Sequence, residues 1–173
     1  MTRVYNVLFL CTGNSARSII AESLLTHWGK GRFRAFSAGS APKEGVHPLA
    51  LEMLQSAKLP TAGLHSKSWV EFTSSVAPVM DFVFTVCDET AGKPCPVWPG
   101  TPMMAHWGVL DPVAVEGTEE ERRRAFRSVF RALETRIKLF VSLPVDKLDG
   151  LALKRKMDEI GRTRPDASTD RAS

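Results

Sequence analysis

A cysteine and an arginine are separated by five residues near the start of the chain, in the segment CTGNSARS at residues 11–18. An apolar run precedes this segment and apolar residues at helical spacing follow it, which predicts a loop between a strand and a helix. Such a loop can curl so that successive backbone N–H groups point inward and bind an anion beside the positive end of the helix. The pattern therefore predicts a site for a tetrahedral oxyanion.

Within this loop, Cys11 and Arg17 are the predicted catalytic residues. The Arg17 guanidinium presents a planar fork of donors that matches two oxygens of a tetrahedral anion. The same positive surroundings should lower the pKa of the Cys11 thiol from about 8.5 into the range of roughly 3.5–7.5, which would make it a nucleophile at neutral pH. The other loop residues are expected to contribute to oxyanion binding: Thr12, Gly13, Asn14, Ser15, Ala16 and Ser18.

An Asp-Pro pair, Asp111 and Pro112, follows the last predicted strand. Displacing an oxygen leaving group from a tetrahedral centre requires a proton, which a carboxylic acid beside the anion could supply. Asp111 is therefore the predicted proton donor, although an Asp-Pro pair without the loop would indicate only a turn.

Two further cysteines, Cys87 and Cys95, lie at the end of the third predicted strand and in the loop after it. Their C-x7-C spacing, with no CxxC and no nearby histidine, does not match a zinc site, so no metal is predicted. A phosphatase would leave both thiols without a function. A redox relay, in contrast, needs an inner thiol near Cys11 and an outer thiol on a loop that can move.

Strands alternate with helices along the chain, which predicts right-handed crossovers and a parallel sheet covered on both faces. In such folds ligands bind beyond the carboxyl ends of the strands. Cys11, Cys87 and the segment after Trp107 all fall there. The predicted strands cover 3–10, 33–37, 81–86 and 103–107, and the predicted helices cover 18–28, 47–59, 119–143 and 148–160.

The composition describes one globular domain, with 173 residues of which 43% are hydrophobic and 24% charged. No apolar run reaches the roughly 20 residues of a membrane helix, and no signal peptide is recognisable, so a cytoplasmic protein without membrane contact is expected. The net charge of +4 arises largely near the C-terminus. It indicates a solvated helix face and tail more than binding to nucleic acid.

Five motifs in the same order resemble the arsenate reductases built on the low-molecular-weight tyrosine phosphatase fold. These are CTGNSARS, FSAG at 36–39, FTVC at 84–87, CP at 95–96, and HWG followed by DP at 106–112. The resemblance implies an α/β fold with a four-stranded parallel sheet flanked by helices. It assigns residues 1–143 to the reductase domain, and we expect a helical extension over 144–160 and a disordered tail over 161–173.

The resemblance also implies a reaction. Cys11 would attack arsenate held by the loop and Arg17, while Asp111 protonates the departing oxygen. Cys87 would then attack Cys11, releasing arsenite and leaving a Cys11–Cys87 disulfide. Cys95 would attack Cys87 and move the disulfide outward for reduction by thioredoxin or glutaredoxin. Phosphate and sulfate would compete with arsenate, and no cofactor would be required.

The sequence departs from that family at three places. Ala16 stands where relatives often carry a second loop cysteine, so resolution must come from Cys87. The two relay cysteines are separated by seven residues rather than the familiar six. Some thioredoxin-coupled members bind a potassium ion beside the loop; Asn14, Glu22 and Ser37 match that site, whereas Ser68 stands in place of its aspartate.

Two other functions are compatible with parts of the pattern. A low-molecular-weight protein tyrosine phosphatase needs Cys11, Arg17 and Asp111 but neither of the other cysteines. Aromatic residues typically flank the aspartate in such phosphatases, whereas Val113 follows Pro112 here. A binding or arsenite-sensing module would use the three thiols without turnover.

Overall fold

The computed structural model describes residues 3–87 and 96–163 and contains one parallel sheet of four strands. The strands are β1 (Tyr5–Cys11), β2 (Phe33–Gly39), β3 (Phe82–Thr85) and β4 (Met103–His106), and the α-helices of the described residues are α1 (Arg17–Trp28), α2 (Pro48–Ser56), α3 (Glu119–Val141) and α4 (Gly150–Gly161). Their order across the sheet is β2-β1-β3-β4, and every pairing is parallel. The predicted α/β fold is confirmed.

Two hydrophobic clusters lie on opposite faces of the sheet because successive side chains of a strand alternate between its faces. Val7 and Phe9 of β1 belong to the larger cluster, to which all four α-helices contribute. Leu8 and Leu10 belong to the smaller one, which is completed mainly by Phe72 and by side chains of the connecting segments, such as Met80 and Trp98. Both faces are covered as predicted, but a short 3-10 helix, Trp69–Phe72, takes the place of a long helix on the second face.

This distribution follows from the handedness of the connections. The chain moves from β1 to β2 in one direction across the sheet and from β2 through β3 to β4 in the other. Right-handed crossovers therefore lie on opposite faces. The connections that precede β3 and β4 accordingly bring Phe72 and Trp98 to the second face.

The longest helix, α3, packs an apolar stripe against the sheet and presents charged residues elsewhere. Its first turn is closed by a capping box in which Thr118 and Glu121 bond each other's backbone N–H groups. The apolar stripe of α3 consists of Phe126, Val129, Leu133, Ile137 and Phe140, all of which are buried.

Within the described ranges, no helix is long and apolar enough to cross a membrane.

Helix α4 packs beside the edge strand β4. The Trp107 indole N–H donates to the Met157 carbonyl at 3.0 Å. A Cβ on Gly161 would lie 2.5 Å from the His106 carbonyl oxygen, so only glycine allows the end of α4 to approach this closely. The tail expected from residue 161 falls largely on residues 164–173, which lie outside the described residues.

A buried arginine of α3, Arg136, connects the end of β4 to the end of the described chain. Its guanidinium donates to the carbonyls of Trp107 at 2.8 Å and Gly108 at 3.1 Å. It also donates to the Thr163 carbonyl at 3.3 Å and 3.4 Å. Arg136 therefore fixes the start of the segment that leads to Asp111.

Candidate active site

The loop at residues 11–18 lies between β1 and α1, at the carboxyl edge of the sheet. Its outward carbonyls are bonded by the segment that follows β2. Thr12 accepts from Ala41 at 2.9 Å, Gly13 from Lys43 at 2.9 Å, and Ser15 from His47 at 2.8 Å. Because the C=O and N–H of a planar trans peptide point in opposite directions, each outward carbonyl turns the next N–H inward. Segment 40–47 thereby orients the loop as an anion nest.

The loop also requires close approach of β2. Cys11 is in register with Gly39, and a Cβ on Gly39 would lie 2.4 Å from the Thr12 carbonyl oxygen. Any side chain at this position would push the loop away from the sheet. Gly39, the last residue of the FSAG segment, is therefore a packing requirement of the site.

The Cys11 thiol lies at the floor of the loop and is only 3% exposed. Its Sγ is 2.9 Å from the Ser18 hydroxyl and accepts the Asn14 backbone N–H at 3.2 Å. The Ser18 oxygen accepts from the Asn14 side-chain amide at 2.7 Å, which leaves the Ser18 O–H to donate to the sulfur. Two donors therefore point at the position of a thiolate.

The pKa of the Cys11 thiol is nevertheless raised above its ordinary value. Burial is the largest cause, and it outweighs the lowering by hydrogen bonds from Ser18 and Asn14; the nearby Cys87 thiol adds a further increase. The lowered pKa predicted from the sequence is therefore wrong. The Arg17 guanidinium, expected to lower it, instead donates to the Val109 carbonyl at 3.2 Å.

Asn14 connects the nucleophile to the elements behind the loop. It is fully buried and has a φ of 48°, in the left-handed region that asparagine tolerates. Its side-chain amide donates to Ser18 and also to Ser37 at 3.0 Å, while its side-chain carbonyl accepts the Lys67 N–H at 2.9 Å. Asn14 thus holds the loop against β2 and the segment after residue 65.

Arg17 and Asp111 face each other across the mouth of the site. An Arg17 nitrogen lies 3.6 Å from Asp111 Oδ2, and the Arg17 side chain is 7% exposed against 31% for Asp111. The other Asp111 oxygen accepts the Val113 N–H at 3.0 Å and caps a 3-10 turn over Pro112–Ala114. The carboxylate is thus held at the rim, beside the guanidinium.

A cavity of about 250 Å³ opens above the loop. Besides loop residues it is lined by Asp111 and by Ala41, Lys43 and Val113. Lys43 was not predicted as a site residue, because it stands in a short connection after β2 with no motif around it. The aliphatic and cationic lining suits a small anion.

The second predicted thiol, Cys87, is fully buried beside the loop. Its Sγ is 3.7 Å from the Thr12 hydroxyl, and its charge influences the pKa of Cys11. No disulfide bond joins Cys11 to Cys87 in the structure. Cys95, the predicted outer thiol, lies outside the described residues. The structure therefore brings together every predicted site residue that it describes.

No group of three or more histidine, cysteine, aspartate or glutamate side chains in residues 3–87 and 96–163 is placed to hold a metal ion.

Replacing Ser18 by alanine should raise the pKa of Cys11 further, because it removes a donor that stabilises the thiolate. A hydrogen bond to a charged group contributes about 1.5–3 kcal/mol, so the pH midpoint of Cys11 alkylation by iodoacetamide should rise by about one unit or more. The measurement is alkylation rate against pH. Ser23→Ala is the matched control, since Ser23 is also buried in α1 but donates to the Pro60 carbonyl. Equal midpoints in the two variants would contradict this assignment of Ser18.

The chain is similar to known proteins that share this type of loop and fold. A family model described as low molecular weight phosphotyrosine protein phosphatase matches residues 6–156. The arsenate reductase of Shouchella clausii is 34% identical over 135 residues, which cover 78% of this chain and 93% of that protein. The arsenate reductase of Bacillus subtilis is 32% identical over 134 residues, with the same two coverages.

The fold is also similar to solved structures of arsenate reductases. An arsenate reductase from Archaeoglobus fulgidus has a TM-score of 0.63 at 28% identity, covering 79% of this chain and 99% of that one. The thioredoxin-dependent arsenate reductase of Corynebacterium glutamicum has a TM-score of 0.59 at 29% identity, covering 78% and 59%. The predicted resemblance and the predicted phosphatase-like fold are confirmed.

Proposed function

The chain belongs to the low molecular weight phosphotyrosine protein phosphatase family, and on that premise we propose that it reduces arsenate to arsenite, with Cys11 as the nucleophile. The observation that carries the proposal is the second buried thiol, Cys87, against Thr12 of the loop. Hydrolysis of a phosphoenzyme needs only water and has no use for a thiol there. Reduction of a Cys11 adduct requires one.

In the first step, arsenate is bound by the inward N–H groups of the loop and by Arg17. The Cys11 sulfur forms a bond to arsenic while one As–O bond breaks, and the oxygen leaves as water. The proton released by the Cys11 thiol balances the proton that the departing oxygen receives. Asp111 at the rim takes up the proton that Cys11 releases and donates it to the departing oxygen, so the carboxylate is regenerated in the same step.

In the second step, the Cys87 sulfur attacks the Cys11 sulfur. The new S–S bond forms as the S–As bond breaks. The electron pair of the S–As bond stays with arsenic, which leaves as arsenite. Two thiols are thus oxidised to a disulfide while As(V) is reduced to As(III). Cys95 then exchanges with Cys87, and an external dithiol reduces the resulting Cys87–Cys95 disulfide.

The cavity lining supports a small oxyanion over an aryl phosphate. Ala41, Lys43 and Val113 surround the mouth, and no aromatic ring among the described residues lines it. Lys43 adds positive charge where an anion enters. Phosphate and sulfate share this charge and shape and act as competitors of arsenate. One relative, the Corynebacterium glutamicum enzyme, is a thioredoxin-dependent arsenate reductase, which favours thioredoxin over glutaredoxin for this chain.

The test is an arsenite-release assay with thioredoxin, thioredoxin reductase and NADPH, run beside one with glutathione and glutaredoxin. We expect one arsenite for each NADPH oxidised, with thioredoxin the more effective reductant. Hydrolysis of para-nitrophenyl phosphate is measured in parallel. Efficient hydrolysis without arsenite release would assign the chain as a phosphatase, and binding without either product would assign it as an oxyanion-binding module.

A further inference from the structure

A chain of polar side chains runs behind the active-site loop, away from the substrate cavity. Ser18 and Ser37 both accept hydrogen bonds from the Asn14 side-chain amide. The Ser37 hydroxyl donates to the Glu22 carboxylate. The nucleophile Cys11 is therefore connected through these groups to a carboxylate of which only 17% is exposed. A negative charge this deeply placed needs a positive partner.

Some members of the family that the sequence resembles bind a potassium ion at this place, but the donors present in this chain do not fit one. A hard cation binds oxygen atoms. The side-chain carbonyl oxygen of Asn14 accepts the backbone N–H of Lys67 at 2.9 Å. This bond fixes the orientation of the Asn14 side-chain amide, so that its NH₂ group, not its oxygen, faces Ser37. The Ser68 hydroxyl, at the position of the family's aspartate, accepts the Val70 N–H at 3.2 Å and caps the 3-10 helix.

The positive partner is instead the side chain of Lys67. Its ammonium nitrogen lies 3.9 Å from Glu22 Oε1, and the Lys67 side chain is only 9% exposed. The same nitrogen donates to the His65 carbonyl at 2.8 Å. A second cation beside Glu22 would meet this ammonium at short range and be repelled.

The backbone of Lys67 fixes the ammonium relative to the loop. Its N–H donates to Asn14, and its carbonyl accepts the Gly39 N–H at 2.9 Å. Lys67 is thereby tied to the two residues on which the loop geometry depends. Burial raises the pKa of Glu22 and lowers that of Lys67, and the attraction between them opposes both effects. The two charges are each costly to bury and depend on one another.

We propose that Lys67 is a built-in cation that takes the place of potassium behind the active-site loop, so that the geometry of Cys11 does not depend on a bound metal ion. Lys67 is a positioning residue, acting through Glu22, Ser37 and Asn14. The inference rests on family membership and on these contacts, and it holds whether the substrate is arsenate or an aryl phosphate.

The test compares Lys67→Met, which keeps an apolar stem of similar length, with Lys67→Arg, which keeps the charge. The full chain is studied in potassium chloride, sodium chloride and choline chloride at equal ionic strength. The readouts are the thermal unfolding midpoint and the pH profile of Cys11 alkylation, neither of which requires turnover. Arsenite release is measured as a third readout, so that failure of the proposed function is distinguished from failure of this inference.

The wild type and Lys67→Arg should unfold within about 1 °C of the same midpoint in all three salts, because no ion is bound. Lys67→Met should unfold roughly 5 °C lower in choline or sodium, since a buried carboxylate has lost its partner. Potassium at about 100 mM should recover no more of that loss than sodium does, because the Asn14 side-chain oxygen and the Ser68 hydroxyl are still engaged by backbone N–H groups in the variant. The alkylation profile of Lys67→Met should differ from that of the wild type in all three salts, and Lys67→Arg should restore it.

Stabilisation of the wild type by potassium, or an unfolding midpoint of Lys67→Met equal to that of the wild type, would overturn the proposal. If Lys67→Met does not fold, the double variant Glu22→Gln with Lys67→Met removes both charges. It should fold and show no preference for potassium. A potassium response in that double variant would also contradict the assignment, because the carboxylate that binds the cation would be absent.

Discussion

Replacing Cys11 by serine should abolish arsenate reduction and any hydrolysis of aryl phosphates, lowering both rates by about four to six orders of magnitude. The hydroxyl is nearly isosteric with the thiol, so the loop, its N–H groups and Arg17 remain in place. What is lost is the attacking sulfur and the bond it forms to arsenic. Arsenite release and para-nitrophenol release are the two measurements.

The matched control is Cys87→Ser, which changes another buried thiol beside the same loop. It should retain hydrolysis of para-nitrophenyl phosphate, because water can release a phosphoenzyme. Oxyanion binding by Cys11→Ser, measured calorimetrically with phosphate, should remain within about tenfold of the wild type. Substantial turnover in Cys11→Ser would place the nucleophile elsewhere in the chain.

The second large effect is expected from the two relay cysteines, which should behave unequally. Cys87→Ser should lower multiple turnover of arsenate by about three orders of magnitude or more, because the adduct on Cys11 lacks its attacking thiol. Cys95→Ser should complete a single turnover and then stop, since the inner thiol is present and only the outward transfer is missing.

Peptide mapping by mass spectrometry after one equivalent of arsenate distinguishes these states. We expect a Cys11–Cys87 link in Cys95→Ser and a Cys87–Cys95 link in the wild type. A link between Cys11 and Cys95 in the wild type would reverse the order of the two thiols. Three free thiols after exposure to arsenate would exclude the relay and favour the phosphatase.

Much of the fold could be predicted because its signals are local. The apolar run before Cys11 predicted β1, which the structure ends at Cys11, one residue later than expected. The stripe of α3 predicted its position to within two residues, from Glu119 to Val141. Periodicity of apolar residues reports which side of an element is buried, and this information is contained within each element.

Coverage of the second sheet face was harder to predict, because it depends on contacts between distant segments. Phe72 and Trp98 have no periodic neighbours that would indicate a covering layer. Only the direction of the crossovers places them on that face. A strand-and-helix pattern therefore predicts that a face must be covered without specifying what covers it.

The site residues likewise fall into two groups, those that the local sequence identifies and those that only the tertiary fold identifies. Cys11 and Arg17 are identified by their spacing within one loop, and Asp111 and Cys87 by their places after strands of one sheet. Lys43 and Lys67 stand in connections without any pattern, and their importance arises only when the fold brings them to the loop. A lysine in such a segment is usually a solvated surface residue.

The direction in which the pKa of Cys11 shifts from its ordinary value could not be predicted from residue types alone. The sequence supplies a guanidinium and a helix start, both of which favour a thiolate. It does not show how completely the sulfur is removed from water, nor that Arg17 donates to Val109. Burial and side-chain orientation are tertiary properties, and here they reverse the direction expected from the loop.

The bonding of the loop carbonyls by segment 40–47 has a consequence for protein engineering. The C-x5-R loop is not a transplantable module, because Thr12, Gly13 and Ser15 would lose the N–H partners that turn their peptides. A grafted loop alone would collapse into whatever turn its new scaffold preferred. An oxyanion sensor built on another α/β scaffold must therefore import residues 11–18 and 40–47 as one unit, together with the glycine at 39 that lets them touch.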